Sequence, residues 1–178
     1  MAISTATFAG GCFWCIEAAF NSLNGVTKAI SGYTGGITAH PNYKEVCSGK
    51  TKHAEAVQIS FDDKIISYQE LLTIFFALHD PTQLNRQGDD IGTQYRSTVF
   101  YESEEQKKLA LEVINDLIQS QVFTDTIKTE VEELGVFYPA EVYHQGYFMN
   151  NPEQAYCAVV VSPKLNKFKE KYKAKLKK

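Results

Sequence analysis

Short apolar runs alternate with runs of helical spacing along most of this chain, and that alternation restricts the fold more than any other feature. Ala6 to Ala9 predicts a strand closed by Gly10 and Gly11, and Phe13 to Leu23 a helix stopped by Asn24 and Gly25. Val26 to Tyr33 and Ala54 to Phe61 predict two further strands. In the second, Glu55, Val57, Ile59 and Phe61 share one face, and Ala54, Ala56, Gln58 and Ser60 the other. Ser67 with Glu70, and Ser103 with Gln106, are capping boxes. They precede an apolar run from Leu71 to Leu78 and the helical series Leu109, Val113, Ile114, Leu117, Ile118. Tyr95 to Tyr101, Thr126 to Leu134 and a short terminal stretch, Ala158 to Val161, predict strands. Thr34 to Lys52 and Asp80 to Gly92 are polar and read as loops. The pattern predicts one α+β domain over residues 1–178, a mostly antiparallel sheet with packed helices and a ferredoxin-like core.

Composition narrows the function. No run of eighteen uncharged apolar residues occurs, so the sequence predicts no spanning helix. Met1 to Gly11 lacks the basic start and long apolar stretch of a secretory signal. Four cysteines are too few for a disulfide scaffold in 178 residues, which leads to the expectation of a reducing cytoplasm and of cysteines that are reactive or buried. The net charge of −3 hides a basic tail: Lys164 to Lys178 holds eight lysines and one acid. Leu165, Phe168, Tyr172 and Leu176 give that tail the apolar stripe of a surface helix. A nucleic-acid or anionic-membrane contact is the competing reading, and no other basic cluster with aromatics supports it.

The segment Gly10-Gly11-Cys12-Phe13-Trp14-Cys15 carries the most chemistry. Cys12 stands at the start of the first expected helix, where unpaired N–H groups and the positive dipole end favour a thiolate. The glycines are expected to let another molecule approach the sulfur, and Phe13 and Trp14 to wall a small apolar pocket. Cys12 and Cys15 form a C-x-x-C pair, which fits a redox dithiol, half a zinc site or two inert buried thiols. No second doublet of cysteine or histidine completes a zinc set, so neither metal nor cofactor is expected.

Six blocks in order resemble the peptide methionine sulfoxide reductase A family. They are Gly11-Cys12-Phe13-Trp14, Ser31 to Gly36, His40 to Gly49, His53-Ala54-Glu55-Ala56-Val57, Asp90 to Ser97, and Glu141 to Gln145. One departure stands out: Lys52 occupies a position that is usually glycine in that family. The resemblance implies an α+β fold, reduction of the S epimer of methionine sulfoxide, free or in proteins, and thioredoxin as reductant.

A sulfoxide oxygen departs only when protonated or hydrogen-bonded, so the site needs a nucleophile at sulfur and proton donors at oxygen. By the resemblance Cys12 is the nucleophile, Glu55 the acid, and Tyr43 and Tyr95 the phenols that hold the oxygen. Phe13 and Trp14 match the pocket for the substrate methyl group, while Asp90 and His144 match peripheral binding residues. Attack leaves a sulfenic acid on Cys12, and a second thiol must resolve it. Cys157, on a C-terminal segment (about 146–178) expected to be mobile, is preferred because closing a long flexible loop costs little. Cys15, one helical turn from Cys12, stays open, as does a relay through both. Cys47 matches no chemical role and reads as structural. A general dithiol–disulfide oxidoreductase using Cys12 and Cys15, and a redox-sensing or zinc-stabilised interaction domain, are the competing functions.

Overall fold

The computed structural model describes residues 3–177; Met1, Ala2 and Lys178, at the two ends of the expected domain and tail, lie outside the described residues. Strand β1 (Ile3–Ala9) leads through Gly10 and Gly11 into helix α1 (Phe13–Asn21) and strand β2 (Val26–Thr34). A short helix α2 (Tyr43–Cys47) interrupts the expected loop, because Asn42 accepts from the Glu45 N–H while Glu45 reaches back to the Asn42 N–H. Strand β3 (Ala54–Asp62) is followed by helix α3 (Tyr68–Leu78), capped by Ser67 accepting from the Glu70 N–H at 3.1 Å. The second polar loop holds a two-residue hairpin, β4 (Arg86–Gln87) and β5 (Asp90–Ile91). Tyr95 closes a 3-10 turn, and strand β6 (Thr98–Tyr101) starts only after it. Helix α4 (Glu104–Gln119) carries the Ser103 cap. Strand β7 (Glu130–Glu133) is shorter than expected, and β8 (Tyr138–Pro139), helix α5 (Tyr147–Asn150) and helix α6 (Ser162–Lys171) complete the chain.

Apart from the β4–β5 hairpin, the strands form one sheet in the order β7-β6-β1-β3-β2-β8. Its four central strands, β6-β1-β3-β2, run antiparallel in the order that a βαββαβ chain gives a ferredoxin-like core. Among the described residues only β7 pairs in parallel, beside β6. The expected core topology is therefore present, with α1 and α3 as its two crossover helices. The period-2 pattern of β3 explains the layering. Val57, Ile59 and Phe61 join Phe8, Phe20, Leu72 and Phe75 in the main core. Ala54 and Ala56 face the other way, with Ala9 and Phe100, beneath Leu134 and Phe137. Phe8 stacks on Phe75 with centroids 4.8 Å apart, which ties β1 to α3; truncating such a buried ring costs about 3–5 kcal/mol.

One strand expectation fails. Cys157 to Val161 is a π-helical turn leading into α6. The run Ala158-Val159-Val160 has high strand propensity, but these side chains are exposed and no described strand pairs with them, so the helix prevails. The basic tail is helical as far as Lys171, and then a 3-10 turn lays it against the end of α1. There Asn24 donates its N–H to the Lys175 carbonyl at 2.8 Å, and Leu23 bridges to Leu176.

Candidate active site

Cys12 is the N-cap of α1, half-buried, in extended backbone (φ −65°, ψ 126°). The turn before it needs glycine: Gly11 has φ +89°, and a Cβ there would meet the Gln87 side chain at 2.8 Å. The diglycine thus serves backbone conformation and packing rather than an open approach to sulfur. The expected thiolate is not found either. Burial, with Glu55 and Asp90 nearby, pushes the Cys12 thiol well above its ordinary value of 9.0, and the Trp14 N–H only partly opposes this. Lost hydration comes first, and Asp90, with Glu55 once it ionises, adds to it, so that together they outweigh one helix terminus.

Glu55, on the core face of β3, is 1% exposed. Its Oε1 accepts the Phe13 N–H at 3.3 Å, and its Oε2 has no partner. Burial pushes its carboxyl up to about 8, so it is largely protonated at neutral pH. Tyr43 at the start of α2 and Tyr95 from the 3-10 turn are both half-buried, and burial with the Glu55 charge pushes both phenols far up. Cys12, Glu55, Tyr43 and Tyr95 are thus electrostatic neighbours, gathered from four elements.

The other expected residues scatter around this cluster. Phe13 is fully buried, packed between Tyr33 and His144 at centroid distances of 5.7 and 5.1 Å, so it is core rather than an open pocket wall. Trp14 is half-buried and stacks on Tyr147 at 4.0 Å. Its indole N–H donates to His144 Nδ1 at 3.0 Å, which places the imidazole proton on Nε2. His144 is 1% exposed and burial lowers its pKa, so the ring is neutral. Asp90 accepts a hydrogen bond from the Tyr156 hydroxyl. Cys15 is buried on α1, and a cavity of about 220 Å³ is lined by Cys12, Cys15, Asp90 and Tyr156. Cys157 is fully buried at the start of the π-turn, its N–H bonded to Gln154 Oε1 at 3.0 Å. Cys47 is exposed, hydrogen-bonded to the Tyr43 side chain, and so borders the site instead of filling the core. All four thiols are free, and among the described residues no three of His, Cys, Asp and Glu gather as a metal set.

Three residues given no role by the sequence organise the site. Glu141 accepts from Tyr33 Oη at 3.0 Å, from the Tyr43 N–H at 3.1 Å and from Tyr143 Oη at 3.1 Å, which fixes the start of α2 against β2. Buried Glu17 accepts from Ser31 Oγ and from the Gly146 N–H, anchoring the chain that enters α5. Tyr156 edges against Trp14 at 5.9 Å and lies over Cys12. The signal for Glu141 was its motif block, but two of its partners, Tyr33 and Tyr43, lie about 100 residues away in sequence.

A half-buried cysteine at a helix start, set against a protonated buried acid, defines a thiol-dependent oxidoreductase. The comparisons agree. The peptide methionine sulfoxide reductase family matches residues 4–177. The chain is 54% identical over 167 residues to a peptide methionine sulfoxide reductase MsrA of Pasteurella multocida, covering 94% of this chain and 95% of that one. It is 50% identical over 172 residues to that of Polynucleobacter asymbioticus, covering 97% and 90%. Among solved structures, reduced Mxr1 from Saccharomyces cerevisiae matches with a TM-score of 0.79 at 34% identity, over 87% of this chain and 89% of that chain. Methionine sulfoxide reductase A of Corynebacterium diphtheriae matches at 0.76 and 33%, over 85% and 76%. The chain belongs to the peptide methionine sulfoxide reductase family.

Proposed function

We propose that this enzyme reduces the S epimer of methionine sulfoxide, free or in proteins, with Cys12 as nucleophile and Glu55 as proton donor. The observation that carries the reading is Glu55 Oε2: a buried, protonated carboxyl oxygen without a partner, beside the one half-exposed thiol of α1. The epimer follows from family membership. The sulfoxide sulfur sits over Cys12 Sγ, and its oxygen takes the hydrogen bond that Glu55 Oε2 lacks, with the Tyr43 and Tyr95 hydroxyls beside it. Glu55 passes its proton to that oxygen as the Cys12 sulfur bonds to the sulfoxide sulfur, and it regains a proton from the thiol. The hydroxyl then passes from the methionine sulfur to the Cys12 sulfur as the new sulfur–sulfur bond breaks with its electron pair going to methionine, which releases methionine and leaves a sulfenic acid on Cys12. A second thiol displaces that hydroxyl as water, forming a disulfide.

Cys15 suits that second step in the folded state, since it shares the Cys12 cavity. Residues one turn apart bring their Cβ atoms within about 5–6 Å, and Cys12, outside the helical hydrogen bonding, can close the remainder. Cys157, fully buried at the start of the π-turn and not among the residues lining that cavity, is assigned a later relay. The reductant is proposed to be thioredoxin. Mxr1, the yeast relative, has been solved in complex with Trx2. A cytoplasmic location and a role in protein repair belong to the same proposal; among the described residues no helix is long and apolar enough to cross a membrane.

The test separates the two epimers and maps the product. Wild type should convert the S epimer and leave the R epimer, and Cys12→Ser should abolish conversion. Mass spectrometry after one turnover should find Cys12 joined to Cys15. Normal turnover by Cys12→Ser overturns the assignment.

A further inference from the structure

A second cleft that the reaction does not use adjoins the cavity of Cys12 and Cys15. It has a volume of about 450 Å³ between the end of α3 and α6, and it shares Gln87 and Lys164 with the cavity of Cys12 and Cys15. One wall is a row of lysines, Lys164, Lys167 and Lys171, and the floor is apolar, with Leu78 and Phe168. Asp80 and Asp125 stand on the other side. Among the described residues none of the three lysines is paired with a carboxylate; the tail's one ion pair is Lys175 with Glu70, outside this cleft.

We propose that this cleft binds the polypeptide flank of a methionine sulfoxide substrate, and that Lys167 and Lys171 select acidic residues there. The inference rests on the functional reading above, since it places the sulfoxide at Cys12. The shared Gln87 and Lys164 set the cleft beside Cys12, within reach of the flank of a chain bound there. From Lys164 to Lys171 the helix rises about 10 Å, which an extended peptide covers in about three residues. The two walls decide the class of occupant. A nucleic-acid backbone presents phosphates on every side and would meet Asp80 and Asp125. A peptide offers carboxylates to the lysines and N–H groups to the aspartates. The apolar floor suits the stems of its side chains.

The test uses peptides carrying one methionine sulfoxide flanked on either side by glutamate, alanine or lysine, with free methionine sulfoxide as control. Glutamate flanks should raise kcat/KM about fivefold over alanine, mainly through KM, as exposed charge pairs allow. High salt should flatten the difference. Lys167→Gln/Lys171→Gln should flatten it too, while turnover of the free sulfoxide stays unchanged. An acid preference that survives in this double variant, or equal rates for all flanks, overturns the proposal. So does a double variant that raises only the KM for thioredoxin, or that abolishes a DNA mobility shift seen with wild type. Loss of activity on the free sulfoxide in wild type would instead overturn the functional reading itself.

Discussion

Phe13 donates its backbone N–H to Glu55 Oε1 at 3.3 Å, and Phe13 directly follows Cys12 in the chain. The bond holds one carboxyl oxygen at the start of α1 and leaves the other, Oε2, buried without a partner. One contact therefore ties Glu55 to the residue that follows Cys12, the proposed nucleophile. It also places a strained titration in the core, because Glu55 is 1% exposed and its carboxyl is pushed up to about 8.

That titration makes stability depend on pH. Between an ordinary 4.5 and about 8, the folded chain holds a proton on Glu55 that the unfolded chain has lost. Stability is therefore highest below 4.5 and falls as pH rises toward 8. At pH 7 the cost is about 3 kcal/mol. Glu55→Gln cannot titrate, so its melting temperature should exceed that of wild type at pH 7–8 by several degrees and approach it near pH 4. Thermal melts across that range check this, and equal pH dependence in both proteins would show that Glu55 is not neutral in the fold.

Cys12 should be unreactive at rest. Its thiol is pushed above 9.0 by burial and by Glu55, so the thiolate fraction is small at neutral pH. Alkylation by iodoacetamide, followed at Cys12 by peptide mass spectrometry, should be slow at pH 7 and should still be rising at pH 9. A plateau already reached by pH 7 would mean that the helix terminus wins after all.

The two buried thiols should separate in time. Cys15→Ser should still form one methionine per enzyme but stall as a long-lived sulfenic acid on Cys12, which dimedone traps. Cys157→Ser should form the Cys12–Cys15 disulfide at a normal rate and slow only its recycling by thioredoxin. Dimedone labelling that accumulates in Cys157→Ser and not in Cys15→Ser would reverse the order.

Lys52 carries a left-handed backbone, with φ +63°. This conformation costs a non-glycine residue about 1–2 kcal/mol. Lys52→Gly also frees the unfolded chain, so the net gain should be about 0.5–1 kcal/mol. Urea denaturation should move the midpoint upward with an unchanged slope.

The central strands and the long helices were legible because they obey local rules. The alternation of Ala54 to Phe61 fixes both faces of β3, and Ser67 and Ser103 mark their helix starts. The α2 turn was hidden because its five residues are too few for a periodic signal, and only the Asn42–Glu45 pair announces it. Val159 and Val160 misled because strand propensity counts only where a neighbouring strand is available. At the site, motifs located Cys12, Glu55, Tyr43 and Tyr95, but the state of the thiol was not local. Helix position argued for a thiolate, whereas burial by distant parts of the chain decides against it, with Glu55 and Asp90, 43 and 78 residues away, adding to the effect. The partners of Glu141 were hidden for the same reason.

Rapid-quench measurement of methionine formed in a single turnover by Glu55→Gln tests the account most directly. With Cys12 intact and folding confirmed, the rate at pH 7 should fall about 10²-fold or more, as for a lost general acid. The wild-type rate should itself decline as pH rises through about 8. A Glu55→Gln enzyme that forms methionine at the wild-type rate would contradict the account.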